Sequence, residues 1–244
     1  MTPYYEHAGI KIYHGDCRDV LEAEDVNSDL LCMDPPYGIG MCRGRIGGSS
    51  GKGGFGGRKF CRTYPARDWG ESDWDDVPAA DDLIEICRGA APAQVIWGGN
   101  YFHLPPSMRW LVWDKRNDGT GFADCELAWT NQRSAVRIFR HRWNGMLQEY
   151  GGRSKELRLH PTMKPLSLMK WCIGFFPDAK SVLDPFMGSG TTLVAAKAIG
   201  LSAVGIEREE KYCEIAATRL SQEVFDFGGS GNLPSSEGGQ IIMT

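Results

Sequence analysis

Four acidic residues each close a short apolar run: Asp16 follows IKIYHG, Asp34 follows DLLCM, Asp184 follows SVL and Glu207 follows SAVGI. Two of them open segments whose residue types suit chemistry. In Asp34-Pro35-Pro36-Tyr37 the prolines fix φ and lack N–H groups, so their carbonyls are rigidly aimed. Asp34 adds an anionic acceptor and Tyr37 a flat face for stacking. The set suits an amino group on a flat heterocycle, whose nitrogen is a poor nucleophile because its lone pair is delocalised into the ring. Accepting both N–H bonds, from Asp34 and the Pro35 carbonyl, returns electron density to that nitrogen. It can then take a methyl group by direct displacement and shed the surplus proton afterwards. By itself, a Pro-Pro-Tyr turn after a strand is also ordinary loop chemistry.

The second segment is Asp184-Pro-Phe186-Met-Gly188-Ser189-Gly190-Thr191-Thr192. It predicts a strand end, a tight glycine turn and a helix start. The two glycines let the backbone approach a ligand, and the helix start offers free N–H groups. No Lys follows the glycines, so it is not a Walker loop, and Leu193 occupies the third glycine position of the dinucleotide fingerprint. Glu207, seventeen residues beyond Gly190, suits a carboxylate that accepts from ribose hydroxyls. The pair indicates a nucleoside cofactor with no need of a pyrophosphate. The competing reading for each acid is that it caps the helix after it.

These residues need a scaffold that brings distant strand ends together. Strands are predicted at 10–14, 29–33, 93–97, 109–113, 125–130, 135–139, 181–183 and 202–206. Helices are predicted at 17–22, 80–90, 165–175, 191–199 and 209–221. This alternation predicts an α/β sheet, mostly parallel, with an antiparallel portion added between 109 and 139. Beyond the carboxyl ends of such strands lies one crevice, where the four acids should converge. Ten glycines between Gly38 and Gly57 rule out a regular element there, so residues 38–67 are expected to form a mobile loop. Residues 223–244, with five more glycines, read as a disordered tail.

Apolar residues at 42% and charged residues at 24% exclude a wholly disordered, collagen-like or coiled-coil chain. No apolar run reaches the length of a membrane span, and the first residues lack a signal peptide's pattern, so a cytoplasmic protein is expected. The eight cysteines contain no C-x-x-C pair, which argues against a zinc site or a disulfide scaffold; no metal is expected. The net charge of −4 conceals a pattern. Residues 39–67 carry seven basic side chains and no acid, and residues 131–158 carry seven against two acids. An otherwise acidic body with two basic segments fits a polyanion held on one face.

The two segments resemble the S-adenosylmethionine-dependent amino-methyltransferases that act on DNA, in the permuted β group, where the catalytic tetrapeptide precedes the cofactor loop. Further runs extend the resemblance over most of residues 10–221: His14-Gly-Asp16-Cys17, Trp97-Gly-Gly-Asn-Tyr-Phe102, Trp113-Asp-Lys115, Glu126-Leu-Ala-Trp129 and His160-Pro-Thr162-Met-Lys164-Pro. Several of these are similar to runs in small phage and prophage members. Met163 stands where the family commonly has Gln.

The resemblance implies a Rossmann-like methyltransferase fold in one catalytic domain, residues 1–222. It implies Asp34, Pro35, Pro36 and Tyr37 as catalytic residues. It also implies that S-adenosylmethionine is held by Asp16, Cys17, Asp34, Thr162, Lys164, Asp184, Phe186, Gly188, Ser189, Gly190, Thr191, Thr192 and Glu207. Lys164 is expected beside the cofactor carboxylate. DNA is the implied partner, contacted by Arg43, Arg45, Lys52, Arg58, Lys59, Arg62, Arg140 and Arg142. Only residues 131–159 and the glycine-rich loop are available as a sequence reader, so short specificity or a homodimer is expected. The implied reaction is methylation of adenine N6 after base flipping, within a restriction-modification setting. N4 of cytosine is the alternative, and a non-catalytic DNA-binding protein on the same fold is a more distant one.

Overall fold

The side chains of residues 30–33 are all buried, alternating between two separate apolar clusters, which requires cover on both faces of the strand they form. A computed structural model, which describes residues 1–39, 75–118, 123–144, 147–148 and 158–222, shows how that cover is built. Its strands are β1 (Tyr5–His7), β2 (Ile10–His14), β3 (Leu30–Met33), β4 (Ala93–Trp97), β5 (Trp110–Asp114), β6 (Cys125–Thr130) and β7 (Arg137–Arg140). Two short strands, β8 (Trp143–Asn144) and β9 (Leu147–Gln148), pair only with each other, and β10 (Ser181–Asp184) and β11 (Ser202–Glu207) follow. The helices are α1 (Cys17–Ala23), α2 (Asp81–Gly89), α3 (Leu166–Ile173), α4 (Thr191–Ala198) and α5 (Glu210–Ser221).

Nine strands form one sheet in the order β1-β2-β11-β10-β3-β4-β6-β5-β7. The five from β2 to β4 are parallel. Leu31, Met33, Ile96, Leu183 and Ile206 face the side covered by α1 and α2, where Val20, Ile84 and Cys87 are buried. Leu30, Cys32, Val95 and Val182 face the other side, against Leu168, Met169, Leu193 and Ala216 of α3, α4 and α5.

Strand order reverses between β10 and β3. From β10 the chain steps one way to β11; from β3 it steps the other way to β4. A crevice opens at such a point, beyond the carboxyl ends of the strands. Past β4 the sheet changes character: β6 is antiparallel to both β4 and β5, and β7 is parallel to β5. The beginning of β6 therefore lies at the same sheet edge as the ends of β3, β4 and β5.

The mostly parallel α/β sheet agrees with the sequence expectation, including the antiparallel portion. Strand β1 was not expected, because its polar sequence YEH has only one neighbour and two exposed residues. The strand expected at 135–139 lies at 137–140, an edge strand with mostly exposed side chains that gives hydrophobic periodicity little to report. Of the six described cysteines, five are buried and Cys125 is exposed; all six are free thiols. No helix among the described residues is long and apolar enough to cross a membrane. Of the loop expected at 38–67, residues 40–67 lie outside the described residues, as does the tail expected at 223–244.

Candidate active site

The sheet register sets Glu207 beside His14 and Asp184 beside Gly205. Asp16, Glu207, Asp184 and Asp34 therefore stand in that order beyond four adjacent strands, β2, β11, β10 and β3. All four line one cavity of about 390 Å³. Local hydrogen bonding accounts for part of each arrangement. Asp16 caps α1 by accepting from the Arg18 N–H at 2.9 Å, and Asp184 accepts from the Phe186 N–H at 3.1 Å. The capping role expected as the plain alternative is thus real for Asp16, and it coexists with a place on the cavity wall.

The glycine turn is built for close approach. Gly188 and Gly190 have φ of +50° and +76°, and a Cβ on Gly190 would lie 2.7 Å from the Cβ of Ala216. Glu207 holds the turn against the end of β11: its Oε2 accepts from the Gly188 N–H at 3.0 Å and its Oε1 from the Glu209 N–H at 2.8 Å. Each carboxylate oxygen keeps a further acceptor site for a ligand hydroxyl. Arg219, from α5, donates to the Ser189 carbonyl at 2.6 Å and to the Thr191 hydroxyl at 3.1 Å, which ties the turn to the helix behind it.

Burial dominates the electrostatics of this wall. It pushes the Asp184 carboxyl up to about 7, although hydrogen bonds from Thr192 and the Phe186 N–H oppose the shift. It raises Glu207 in the same sense, against its backbone donors. His160 is buried against the ring of Tyr212 and pushed down to about 3 by burial, with Arg158 and Lys164 adding to the effect; it is neutral at physiological pH. The cavity wall carries Asp16, Asp34, Asp184, Glu207 and Glu209 against the cations Lys164 and Arg208. Apolar Phe186, Met163 and Ile206 complete it. Such a lining fits a nucleoside that carries positive charge. Among the described residues no cluster of His, Cys, Asp or Glu is arranged to hold a metal ion.

The wall at β3 is assembled from much more distant parts of the chain. Asp34 Oδ1 accepts from the Tyr37 hydroxyl, and Asp34 Oδ2 accepts from Lys164 Nζ at 2.5 Å. Lys164, whose side chain is 6% exposed, also lies 3.2 Å from Oε2 of Glu126 at the start of β6. Glu126 Oε1 in turn pairs with Lys115, just beyond β5. Burial alone would raise the Glu126 carboxyl, but Lys164 and Lys115 outweigh it and bring the group down to about 2. For Asp34 burial prevails: its carboxyl stays above the ordinary value despite Lys164, and Glu126 adds to the rise. Burial opposes the charge on Lys164, yet the two carboxylates hold its pKa above the usual lysine value.

Tyr37 is clamped in place. The N–H groups of Tyr37 and Gly38 donate to buried Asp75 at 2.9 and 3.0 Å, and the Pro36 carbonyl accepts from the Ala79 N–H at 3.0 Å. Among the described residues no hydrogen bond reaches the Pro35 carbonyl. The Tyr37 ring stacks on Tyr101, with centroids 5.0 Å apart and planes 12° from parallel. Gly98, at φ +65°, makes room for it, because a Cβ there would lie 2.1 Å from the ring. The run Trp97-Gly98-Gly99-Asn100-Tyr101 thus forms the seat of Tyr37.

Of the residues expected from sequence, Asp16, Cys17, Asp34, Pro36, Thr162, Lys164, Asp184, Phe186, Gly188, Ser189, Thr191, Thr192 and Glu207 line the cavity. Gly190 acts behind it as the left-handed residue that starts α4. Pro35 and Tyr37 flank Asp34 outside the lining. Lys164, expected beside a cofactor carboxylate, lines the cavity and pairs with Asp34 and Glu126. Arg140 and Arg142 lie at the end of β7 and just beyond it, the first 3.4 Å from Asp114 and the second donating to the Arg116 carbonyl. They occupy the same sheet edge as Asp34, three strands beyond β4. Arg43, Arg45, Lys52, Arg58, Lys59 and Arg62 lie outside the described residues. Sequence reasoning missed the parts played by Glu126, Gly98, Tyr101 and Arg219. Only the double glycine after β4 carried a local signal.

Residues 96–218 match a DNA methylase family, that of the N6/N4 methyltransferases. The type II methyltransferase M2.LlaDCHI of Lactococcus lactis subsp. cremoris is 25% identical over 90% of this chain and 92% of its own length. M2.DpnII of Streptococcus pneumoniae is 25% identical over 91% and 93%. M.HinfI of Haemophilus influenzae reaches 46% identity, over 27% of this chain and 18% of its own. Among solved structures, the complex of M1.HpyAVI with SAM matches with a TM-score of 0.52, 21% identity and coverage of 87% of this chain and all of that one. PvuII DNA methyltransferase, which is cytosine-N4-specific, matches with a TM-score of 0.53, 14% identity and coverage of 91% and 90%. With the family match spanning β4 to α5, and whole-length relatives that are type II methyltransferases, this chain belongs to the N6/N4 DNA methylase family.

Proposed function

We propose that the chain methylates the N6 amine of adenine in DNA, using S-adenosylmethionine held in the acidic cavity. The observation that carries this reading is the pairing of Asp34, an anionic acceptor on the cavity wall, with a Pro35 carbonyl free of described partners. Together they can accept the two N–H bonds of an exocyclic amine. Aspartate at the head of the tetrapeptide favours adenine over cytosine in the family that the sequence resembles. The likeness to a cytosine-N4 enzyme is one of fold and leaves that preference unchanged.

The cavity suits the cofactor in charge. Glu207 would accept from ribose hydroxyls, Asp16 would lie near the adenine, the Gly188–Gly190 turn admits a ligand against the backbone, and Phe186 supplies apolar contact. Cys17, Thr162, Ser189, Thr191 and Thr192 complete the wall, and Asp184 anchors the turn. When bound, S-adenosylmethionine supplies an electrophilic methyl group. Asp34 and the Pro35 carbonyl orient the amine and enrich its nitrogen. Pro36 fixes the turn, and Tyr37, clamped by Asp75 and Tyr101, offers its ring to the base.

The target amine is inaccessible inside a duplex, so the base must leave the stack. We assign Arg43, Arg45, Lys52, Arg58, Lys59 and Arg62, which follow the tetrapeptide directly, to the opened backbone. Arg140 and Arg142, on the same sheet edge as Asp34, would extend that contact. Analysis of nucleosides from DNA treated with the protein and the cofactor tests the reading. N6-methyladenine is the expected product. N4-methylcytosine alone would overturn the choice of base, and no modified base would overturn the reaction.

A further inference from the structure

An acid that assists an amine during methyl transfer works by keeping its negative charge, because positive charge grows on the nitrogen as the new bond forms. In such a displacement the amine lone pair would make the N–C bond, the S–C electron pair would go to the departing thioether, and the surplus N–H proton would pass to solvent afterwards. A lysine 2.5 Å from Asp34 therefore poses a physical problem: one buried cation on one buried carboxylate cancels the charge the reaction needs. The structure contains the answer at the start of β6. Lys164 is shared, with Asp34 on one side and Glu126 Oε2 at 3.2 Å on the other.

We infer that Glu126 is a positioning residue for methyl transfer, drawing on the charge of Lys164 so that Asp34 keeps more of its own negative charge towards the reacting amine. The inference rests on the proposed reaction and adds to it a residue that neither the tetrapeptide nor the cofactor loop contains. Three observations support it. Glu126 reaches the site only because β6 runs antiparallel, which brings its second residue to the edge where β3 ends. Its other oxygen is held by Lys115, so the carboxylate cannot turn away from Lys164 without losing a second partner. Lys115 and Arg158 also face Glu126, so the wider cluster is not negative in sum; what reaches Asp34 from β6 is the negative charge of Glu126. Asp34 also faces the Tyr37 hydroxyl on its own segment and lies within electrostatic reach of Asp184 on β10 and Cys32 on β3. Neither Asp184 nor Cys32 brings a cation to the cluster.

The test is single-turnover methyl transfer to duplex DNA at saturating S-adenosylmethionine, with cofactor affinity measured by calorimetry on the same preparations. Wild type comes first, and absence of transfer there would overturn the proposed reaction along with this inference. Given an active wild type, Glu126→Gln should slow transfer by about tenfold or more, with cofactor affinity within about threefold. The acidic limb of its rate–pH profile should move to lower pH, because removing Glu126 leaves the whole of Lys164 to stabilise ionised Asp34. Exchanging Lys164→Gln as well removes the charge that Glu126 shares, so the double variant should be faster than Glu126→Gln alone. A Glu126→Gln rate equal to wild type, an unmoved acidic limb, or a double variant slower than the single one would each overturn the inference. Should Glu126→Gln not fold, Lys115→Gln serves instead. It frees Glu126 to turn away from Lys164, so transfer should slow while cofactor affinity is kept, and a rate at or above that of wild type would overturn the inference.

Discussion

The two walls of the cavity are made in different ways. On the wall formed by β10, α4 and β11, the carboxylates accept mainly from backbone N–H groups close in sequence: Asp184 from Phe186, with the nearby Thr192 side chain, and Glu207 from Gly188 and Glu209. The longest of these bonds in sequence spans nineteen residues. On the wall at β3, Asp34 is satisfied by side chains, and one of them, Lys164, lies 130 residues away. Backbone donors follow from a turn and tolerate many side chains. Side-chain donors require several elements to be placed together, and each is a separate point of failure. The first wall is a local motif; the second is a tertiary assembly.

The largest break in the comparison should come from Asp34→Ala. Methyl transfer should fall by more than about 100-fold, since an ionised acceptor aimed at a reacting group contributes a few kcal/mol. Cofactor affinity, resting on the other wall, should change much less. Undiminished turnover would remove Asp34 from the mechanism, and a parallel collapse of cofactor binding would show that the walls are not separable.

Gly98→Ala attacks the seat of Tyr37 without touching either carboxylate. The new Cβ would meet the Tyr37 ring, at a backbone φ of +65° that side chains seldom adopt. Transfer should drop by about tenfold or more as the ring is displaced, while calorimetry finds cofactor affinity nearly unchanged. Equal losses in both measurements would refute this division.

The reverse pattern is expected of Glu207→Ala. The cofactor dissociation constant should rise by about tenfold, from lost hydrogen bonds to ribose and a loosened glycine turn. At saturating cofactor the transfer rate should recover most of its wild-type value; a rate that stays low would place Glu207 in the chemistry as well.

Asp184 gives the smallest effect and a pH signature. Its carboxyl is raised from the ordinary 3.8 to about 7, so the folded protein binds this proton more tightly than the unfolded chain does. Ionising it therefore costs stability progressively from about pH 4 to about pH 7, and the cost persists above that range. Asp184→Asn keeps an acceptor for the Phe186 N–H and removes the buried charge. Chemical denaturation at pH 8 should find the variant more stable by roughly 1–3 kcal/mol, with the difference vanishing towards pH 4. A gain that does not depend on pH would assign the effect to packing instead.

Much of this architecture was legible in the sequence. Apolar runs at 10–14, 30–33, 93–97, 181–184 and 202–207 are buried on both faces or nearly so, and such strands advertise themselves as short unbroken hydrophobic segments. An acid at or just past the end of each of four such strands could be assigned to one crevice before any coordinates, because parallel strands of one sheet end at the same edge. The glycine turn was legible for the same local reason: φ above zero and a close approach to Ala216 demand glycine.

What the sequence could not decide is which groups those acids meet. Glu126 opens a strand and gave no sign of proximity to Asp34. Only the antiparallel direction of β6, fixed by its pairing with β4 and β5, turns its beginning towards the cavity. Lys164 was legible as a cation of the cavity wall, but its partners were not, because a buried ammonium goes to the carboxylates that tertiary packing leaves within reach. Local chain geometry thus determined the strands, the turn and the acids at their ends. Strand direction and order, which are settled only when the whole sheet assembles, decided how the acceptor Asp34 is charged and held.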